Sequence, residues 1–212
     1  MSLYEASAEL LYIFSTAFLY PVIVGLLLLF GWSLALFGSL INEYTSRRRM
    51  LHELEDLSLK AAELTLEGRA EDAAGVLLGY KSPWQVSAAL AEMGGALKTR
   101  PVERKLEKIL QDAELRMAKA LEPLRIGTKV GPILGLMGTL IPMGPALIGL
   151  SQGDIKSMAD NLVIAFATTV IGLVVGGICY SSLVVKSRWY RQDLSDLEYA
   201  AEIMRSRIDE AK

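Results

Sequence analysis

The 212-residue sequence contains one cysteine, Cys179, and one histidine, His52. A single cysteine excludes an intrachain disulfide and any zinc site built from several thiolates. A single histidine excludes a His-rich metal site and argues against a Ser–His–Asp triad. An excess of either charge is also missing: 22 Lys+Arg stand against 24 Asp+Glu, a formal net charge of -2. Broad electrostatic attraction to nucleic acid therefore has no basis. The sequence has no phosphate-cradling loop, metal-ligand cluster or nucleophile constellation. No cofactor or metal is expected, and an enzyme is the least favoured class. Ser82 and Pro83 read as a turn signal only. No internal repeat is evident, which argues against an inverted-repeat transporter.

What is abundant is apolar and segregated. Hydrophobic residues make up 52% of the chain and charged residues 22%, and the mean hydropathy is +0.34. Three runs contain no Asp, Glu, Lys or Arg: 10–42, 130–153 and 161–185. About 20 helical residues cross a hydrocarbon core of roughly 30 Å, so each run is long enough to span. The first is too long for one perpendicular span, and Pro21 is its natural break, since proline removes an amide donor. Residues 1–20 then form an amphipathic segment on the membrane surface and 21–42 the span. A cleavable signal is not expected, because Glu5 and Glu9 stand where a basic region would precede a shorter apolar run. No Lys or Arg precedes the first span, whereas Arg47, Arg48 and Arg49 follow it. Lys186, Arg188 and Arg191 follow the third. The positive-inside rule then places the N-terminus outside and both the large loop and the C-terminus in the cytoplasm.

Residues 43–126 hold 14 basic and 14 acidic residues, with too much Leu and Ala for disorder. Val102, Leu106, Ile109, Ala113, Met117, Leu121 and Leu124 step by three and four, the helix period. Pro101 suits the first turn of that helix, which should run through Gly127 and Gly131 into the second span. The tail repeats the pattern with Leu194, Leu197, Ala201, Met204 and Ile208. Between 51 and 97 shorter helices are expected, broken at Gly68, at 80–83 and at Gly94–Gly95. His52, set among charged residues, reads as an exposed or satisfied histidine.

The spans carry small residues on one face. In the second, Gly131, Gly135, Gly138 with Thr139, Pro142, Ala146 and Gly149 fall three or four apart, opposite Ile133, Met137, Leu140 and Leu147. In the third, Asn161, Ala165, Thr168 with Thr169, Gly172 and Gly176 do the same. Such faces either pack membrane helices closely or line a shared crevice. Threonine there either meets a polar partner or bonds its own backbone one turn back. No Asp, Glu, His, Lys or Arg lies within any run, although proton relays in membranes use Asp, Glu or His. Asp154 and Asp160 sit at the outer mouth, where they could collect cations or begin a helix; Asp160 before Asn161 reads as a helix start.

These segments resemble the MotA/TolQ/ExbB proton-channel family over nearly the whole chain. GPILGLMGTLIPM, beginning at Gly131, is similar to that family's proline-led G-L-x-G-T span. IAFATTVIGLVVG, beginning at Ile164, is similar to its A-T-x-I-G-L span. LEGRAEDAAGVLLGYKSPWQVSAAL resembles the loop after the first span in the TolQ/ExbB branch. By position, Thr139 and Thr169 match threonines that the resemblance implies line a channel and face a partner's aspartate, and Pro132 matches the proline opening the second span. One position departs. The TolQ/ExbB branch carries a glutamate five residues before the second threonine, and here Ile164 stands there.

The expected fold is therefore all-α, an integral membrane protein with three transmembrane helices, two of them extended into the cytoplasm as stalks. The expected division is 1–20, 21–42, a cytoplasmic region 43–126, spans at 127–152 and 157–185, and a cytoplasmic helix 186–212. The resemblance implies a ring, a pentamer, around a dimer of a single-span ExbD/TolR/MotB-like partner, coupling the proton motive force of an inner membrane to mechanical work. The ion pathway would involve Thr139, Thr169, Thr168 and Asn161. Pore-face packing would involve Pro132, Gly135, Gly138, Gly172 and Gly176, and the outer mouth Asp154 and Asp160. The alternatives are a self-sufficient channel, or a non-conducting scaffold with a cytoplasmic docking platform.

Overall fold

The structure, a computed structural model, describes residues 3–47, 51–80, 84–97 and 102–210. Arg48, Arg49, Ser82, Pro83 and Pro101 lie outside them. Every described element is a helix: α1 (Leu3–Ala17), α2 (Leu19–Ser46), α3 (Leu51–Leu66), α4 (Ala70–Leu78), α5 (Trp84–Leu97), α6 (Val102–Ser151) and α7 (Ile155–Glu210). Three segments, within Tyr12–Thr45, Val102–Ser151 and Ile155–Ile208, are long and apolar enough to cross a membrane. The protein is an all-α, multi-pass membrane protein. It divides into two compact units: Met1–Ser39 with Pro123–Val184, and Leu40–Glu122 with Val185–Lys212.

In the first unit the N-terminal break falls at Phe18, three residues before Pro21. Pro21 instead sits in the first turn of α2, where the amide it lacks would have no acceptor inside the helix. The Phe18 carbonyl accepts the Val22 amide at 3.0 Å and starts the ladder. Along α2, Val22, Leu26, Ser33 and Leu40 are buried, while Val24, Leu27, Leu28, Leu34, Phe37 and Ile41 are exposed. An apolar exterior of this kind suits lipid rather than water.

The second unit contains the shorter helices. α3 ends in a Schellman turn. Gly68, at φ +79°, takes the left-handed position, the Arg69 amide donates to the Leu64 carbonyl at 2.8 Å, and the Gly68 amide donates to Thr65 at 3.2 Å. α3 packs on α4, and α4 on α5. Leu54, Ala61, Ala62, Ala73, Leu77, Leu90 and Met93 fill the contacts. From α6, Leu106, Ala113, Met117 and Leu121 are buried, and from α7 Leu197, Ala201 and Met204, as their spacing requires. Arg116 of α6 holds Glu92 of α5 through two bonds of 3.0 and 3.1 Å. His52 is exposed.

Gly94–Gly95 does not break a helix; α5 runs through it to Leu97. The reason lies in packing. A Cβ on Gly94 would stand 2.8 Å from Ala74 Cα, so glycine is what lets α5 touch α4. Gly95 faces open space. The two neighbours should therefore respond oppositely to alanine. Gly95→Ala should stabilise the protein by up to about 1 kcal/mol through helix propensity. Gly94→Ala should destabilise it by about 1–3 kcal/mol, because backbone must move. Thermal unfolding of the two detergent-solubilised variants measures both signs.

Candidate functional site

Second and third spanning helices meet along their small faces. Gly131, Gly135, Gly138, Pro142, Ala146 and Gly149 of α6 are all buried, as are Ala165, Thr168, Gly172 and Gly176 of α7. The approach is backbone to backbone. A Cβ on Gly172 would lie 2.6 Å from the Gly131 carbonyl oxygen and 2.8 Å from Gly135 Cα. One on Gly176 would lie 2.8 Å from Pro132 Cγ, and one on Gly127 would collide with the Cys179 sulfur. Within one chain, then, close packing occupies these faces. The gain is dispersion contact and short-range Cα–H···O contact in a medium where hydrophobic association between helices is weak.

The hydroxyls fall on two sides of this seam. Thr168 is buried against Gly138, and its hydroxyl donates to the carbonyls of Ile164 and Ala165 at 3.0 and 2.9 Å. Thr169 is half-buried beside Gly135 and donates to Ala165 at 3.2 Å. Thr139 is half-buried and donates to Leu136 at 2.7 Å. The Asn161 amide donates to the Ser157 carbonyl at 2.8 Å. Each donor is thus used by its own helix, one turn back, and leaves oxygen lone pairs available. Ile164, where a glutamate stands in the TolQ/ExbB branch, is 36% exposed. The outward sides of the pair are apolar: Ile133, Leu136, Leu140 and Leu147 on α6, Val163, Phe166, Val170 and Leu173 on α7.

At the turn joining the two helices, Gly153 at φ +74° closes a second Schellman motif, with the Asp154 amide donating to the Gly149 carbonyl at 2.9 Å. Asp154 then caps α7: its Oδ1 accepts the Ser157 amide at 3.0 Å. The helix start is at Ile155, so Asp160, expected to begin it, lies inside the second turn instead. Sequence reasoning chose the wrong aspartate because the Gly153–Asp154 pair, a C-terminal glycine directly followed by a capping residue, makes the connection only three residues long. Both aspartates are exposed. Among the described residues no group of three or more His, Cys, Asp or Glu is placed to hold a metal ion.

The fit between Gly138 and Thr168 is testable by compensation. A Cβ on Gly138 would sit 2.5 Å from both Cβ and Oγ1 of Thr168. Gly138→Ala should destabilise the purified protein by about 1–3 kcal/mol. Adding Thr168→Gly should recover part of that loss, giving a coupling of about 1 kcal/mol or more in a double-mutant cycle. Additive losses in thermal unfolding would remove the contact.

Sequence comparison agrees with the residues at this seam. No curated protein matches the chain. A family profile described as the MotA/TolQ/ExbB proton channel family matches residues 85–206, more than half of the sequence and all of α6 and most of α7. On that match the chain belongs to the MotA/TolQ/ExbB proton channel family.

Proposed function

We propose that this chain is the ring-forming subunit of a proton channel that draws its titrating carboxylate from a second protein. The observation that carries the proposal is the chemistry of the two helices at the seam. Runs 130–153 and 161–185 hold threonines and close-packed glycines but no Asp, Glu, His, Lys or Arg. Membrane proton relays use titrating Asp, Glu or His side chains. Thr139 and Thr169 offer acceptor oxygens to water or to a carboxylic acid, and neither changes charge. The membership described above makes proton passage the expected task.

In this reading five copies form a closed ring in the inner membrane around a dimer of a single-span ExbD/TolR/MotB-like partner. The partner's aspartate carries the proton past Thr139 and Thr169, with Asn161 along the same path and Asp154 and Asp160 at the outer mouth; Thr168, expected on that path, is buried against Gly138 and serves the seam instead. Pro132, Gly135, Gly138, Gly172 and Gly176 keep the two lining helices close. Proton passage turns one component against the other and drives mechanical work. The large exposed apolar faces of α6 and α7 support neighbours of protein or lipid on both helices. The N-terminus lies outside and the C-terminus in the cytoplasm, on the side of Arg47, Lys186, Arg188 and Arg191.

Two measurements bear on this. Thr169→Val keeps shape and removes the oxygen; proton flux in proteoliposomes holding the chain and its partner should fall to background while the oligomer mass stays unchanged. Full flux would take Thr169 out of the path. Cysteines placed at Ser7 and Ser206 in a Cys179→Ala background should react with impermeant reagent from the outer and the cytoplasmic side respectively, and the reverse pattern would overturn the topology.

A further inference from the structure

The buried stripe of α7 changes character past the charge-free run. Up to Cys179 it is small or apolar; it continues as Ser182, Lys186, Tyr190 and Asp193, all buried, before returning to Leu197 and Met204. Opposite these residues stands the end of α2. Arg47 bonds the Asp193 carboxylate and donates to the Trp189 carbonyl at 3.2 Å. Glu43 lies 3.7 Å from Arg47 and 3.0 Å from Lys186. Tyr44 stacks on Trp189 with centroids 6.1 Å apart, and the Arg47 guanidinium lies 5.1 Å over the Trp189 ring. From α5, the Gln85 amide donates to the Tyr190 hydroxyl at 3.1 Å. Two carboxylates therefore share one guanidinium in a site walled by α2, α5 and α7. Asp193 Oδ2, Glu43 Oε1 and Arg47 Nη1 are buried without a hydrogen-bond partner.

We propose that Asp193, with Arg47, Glu43 and Lys186, forms a proton-binding site beyond the charge-free runs, and that the folded chain is more stable with the site protonated than with it empty. The step is simple: a proton from water adds to the Asp193 carboxylate, giving a neutral acid, and Arg47 is left to pair with Glu43 as the remaining anion. Several groups set its ease. Burial and the charges of Asp196 and Glu43 favour the protonated form, and Arg47 opposes them. Burial leads, so the carboxyl is raised to about 6. The sign follows from linkage. Between the ordinary carboxylate range near 4 and about 6, the folded chain holds a proton that the unfolded chain has released. Stability from this site is therefore full at acid pH and lost as pH rises through about 6.

This inference goes beyond the proposed channel role and is read without any proton flux, so either can fail alone. Trp189 reports on it directly. In full-length protein in nanodiscs, with Trp32→Phe and Trp84→Phe leaving Trp189 as the single tryptophan, emission should titrate with a midpoint near pH 6. Asp193→Asn should flatten the titration between pH 5 and 7.5. It should also remove the fall in melting temperature that the parent shows over the same range. Should that variant fold poorly, Glu43→Gln tests the same site by removing an anion; the midpoint should drop by at least about half a pH unit. His52→Gln, at an exposed position, should leave the midpoint in place. A flat parent titration, an unchanged midpoint in Glu43→Gln, or loss of the titration in His52→Gln would each overturn the proposal.

Discussion

Where Gly131, Gly135 and Gly172 meet, α6 and α7 touch through backbone atoms with no side chain between them. In lipid, a pair of apolar helices gains little from leaving its surroundings, since the acyl chains are as apolar as leucine. What remains is contact density and weak polar contact, and both rise steeply as the axes close. Glycine at three- and four-residue spacing makes that closure available along a stripe instead of at a point. The same stripe fixes rotation: it commits Thr168 to the seam and leaves Thr139 and Thr169 at its edges, half-buried. Large residues such as Leu140, Phe166 and Leu173 are thereby turned outward.

Past the end of the charge-free runs, the chain solves the opposite problem. There it buries Lys186, Asp193 and much of Glu43 and Arg47 among helices, where desolvation is the dominant cost and pairing only partly offsets it. Apolar runs without Asp, Glu, His, Lys or Arg and a compact charge network beyond them divide the electrostatics of the chain. Neutral packing governs the first unit, and paired charge governs the α2 and α7 ends of the second.

Much of this was legible from residue spacing. The three runs, the buried stripe from Leu106 to Leu124, the stripe from Leu197 to Met204 and the small faces of both spans follow from a 3.6-residue period. Membership followed from two glycine–threonine motifs whose order and context are specific. The break expected at Pro21 is present, displaced to Phe18, because the amide the proline lacks is the one that would have bonded Ala17 and joined α1 to α2. The misreadings share a cause. Gly94–Gly95 and Asp160 were each read as local punctuation, but Gly94 serves a neighbour twenty residues away, and Asp154 had already capped the helix that Asp160 was expected to start. The charge network was missed because Glu43, Arg47 and Asp193 are ordinary helix-surface residues when read singly, separated by up to 150 positions.

The sequence by itself determined the helical class, the three membrane crossings and the lack of any acid within them, because composition and periodicity act locally and hydrocarbon tolerates few alternatives. Only the tertiary structure decided which small face meets which, that Thr168 is sealed against Gly138, and that Asp193 shares Arg47 with Glu43. Those outcomes depend on distances between helices far apart in the chain, and spacing along a sequence carries no such distance.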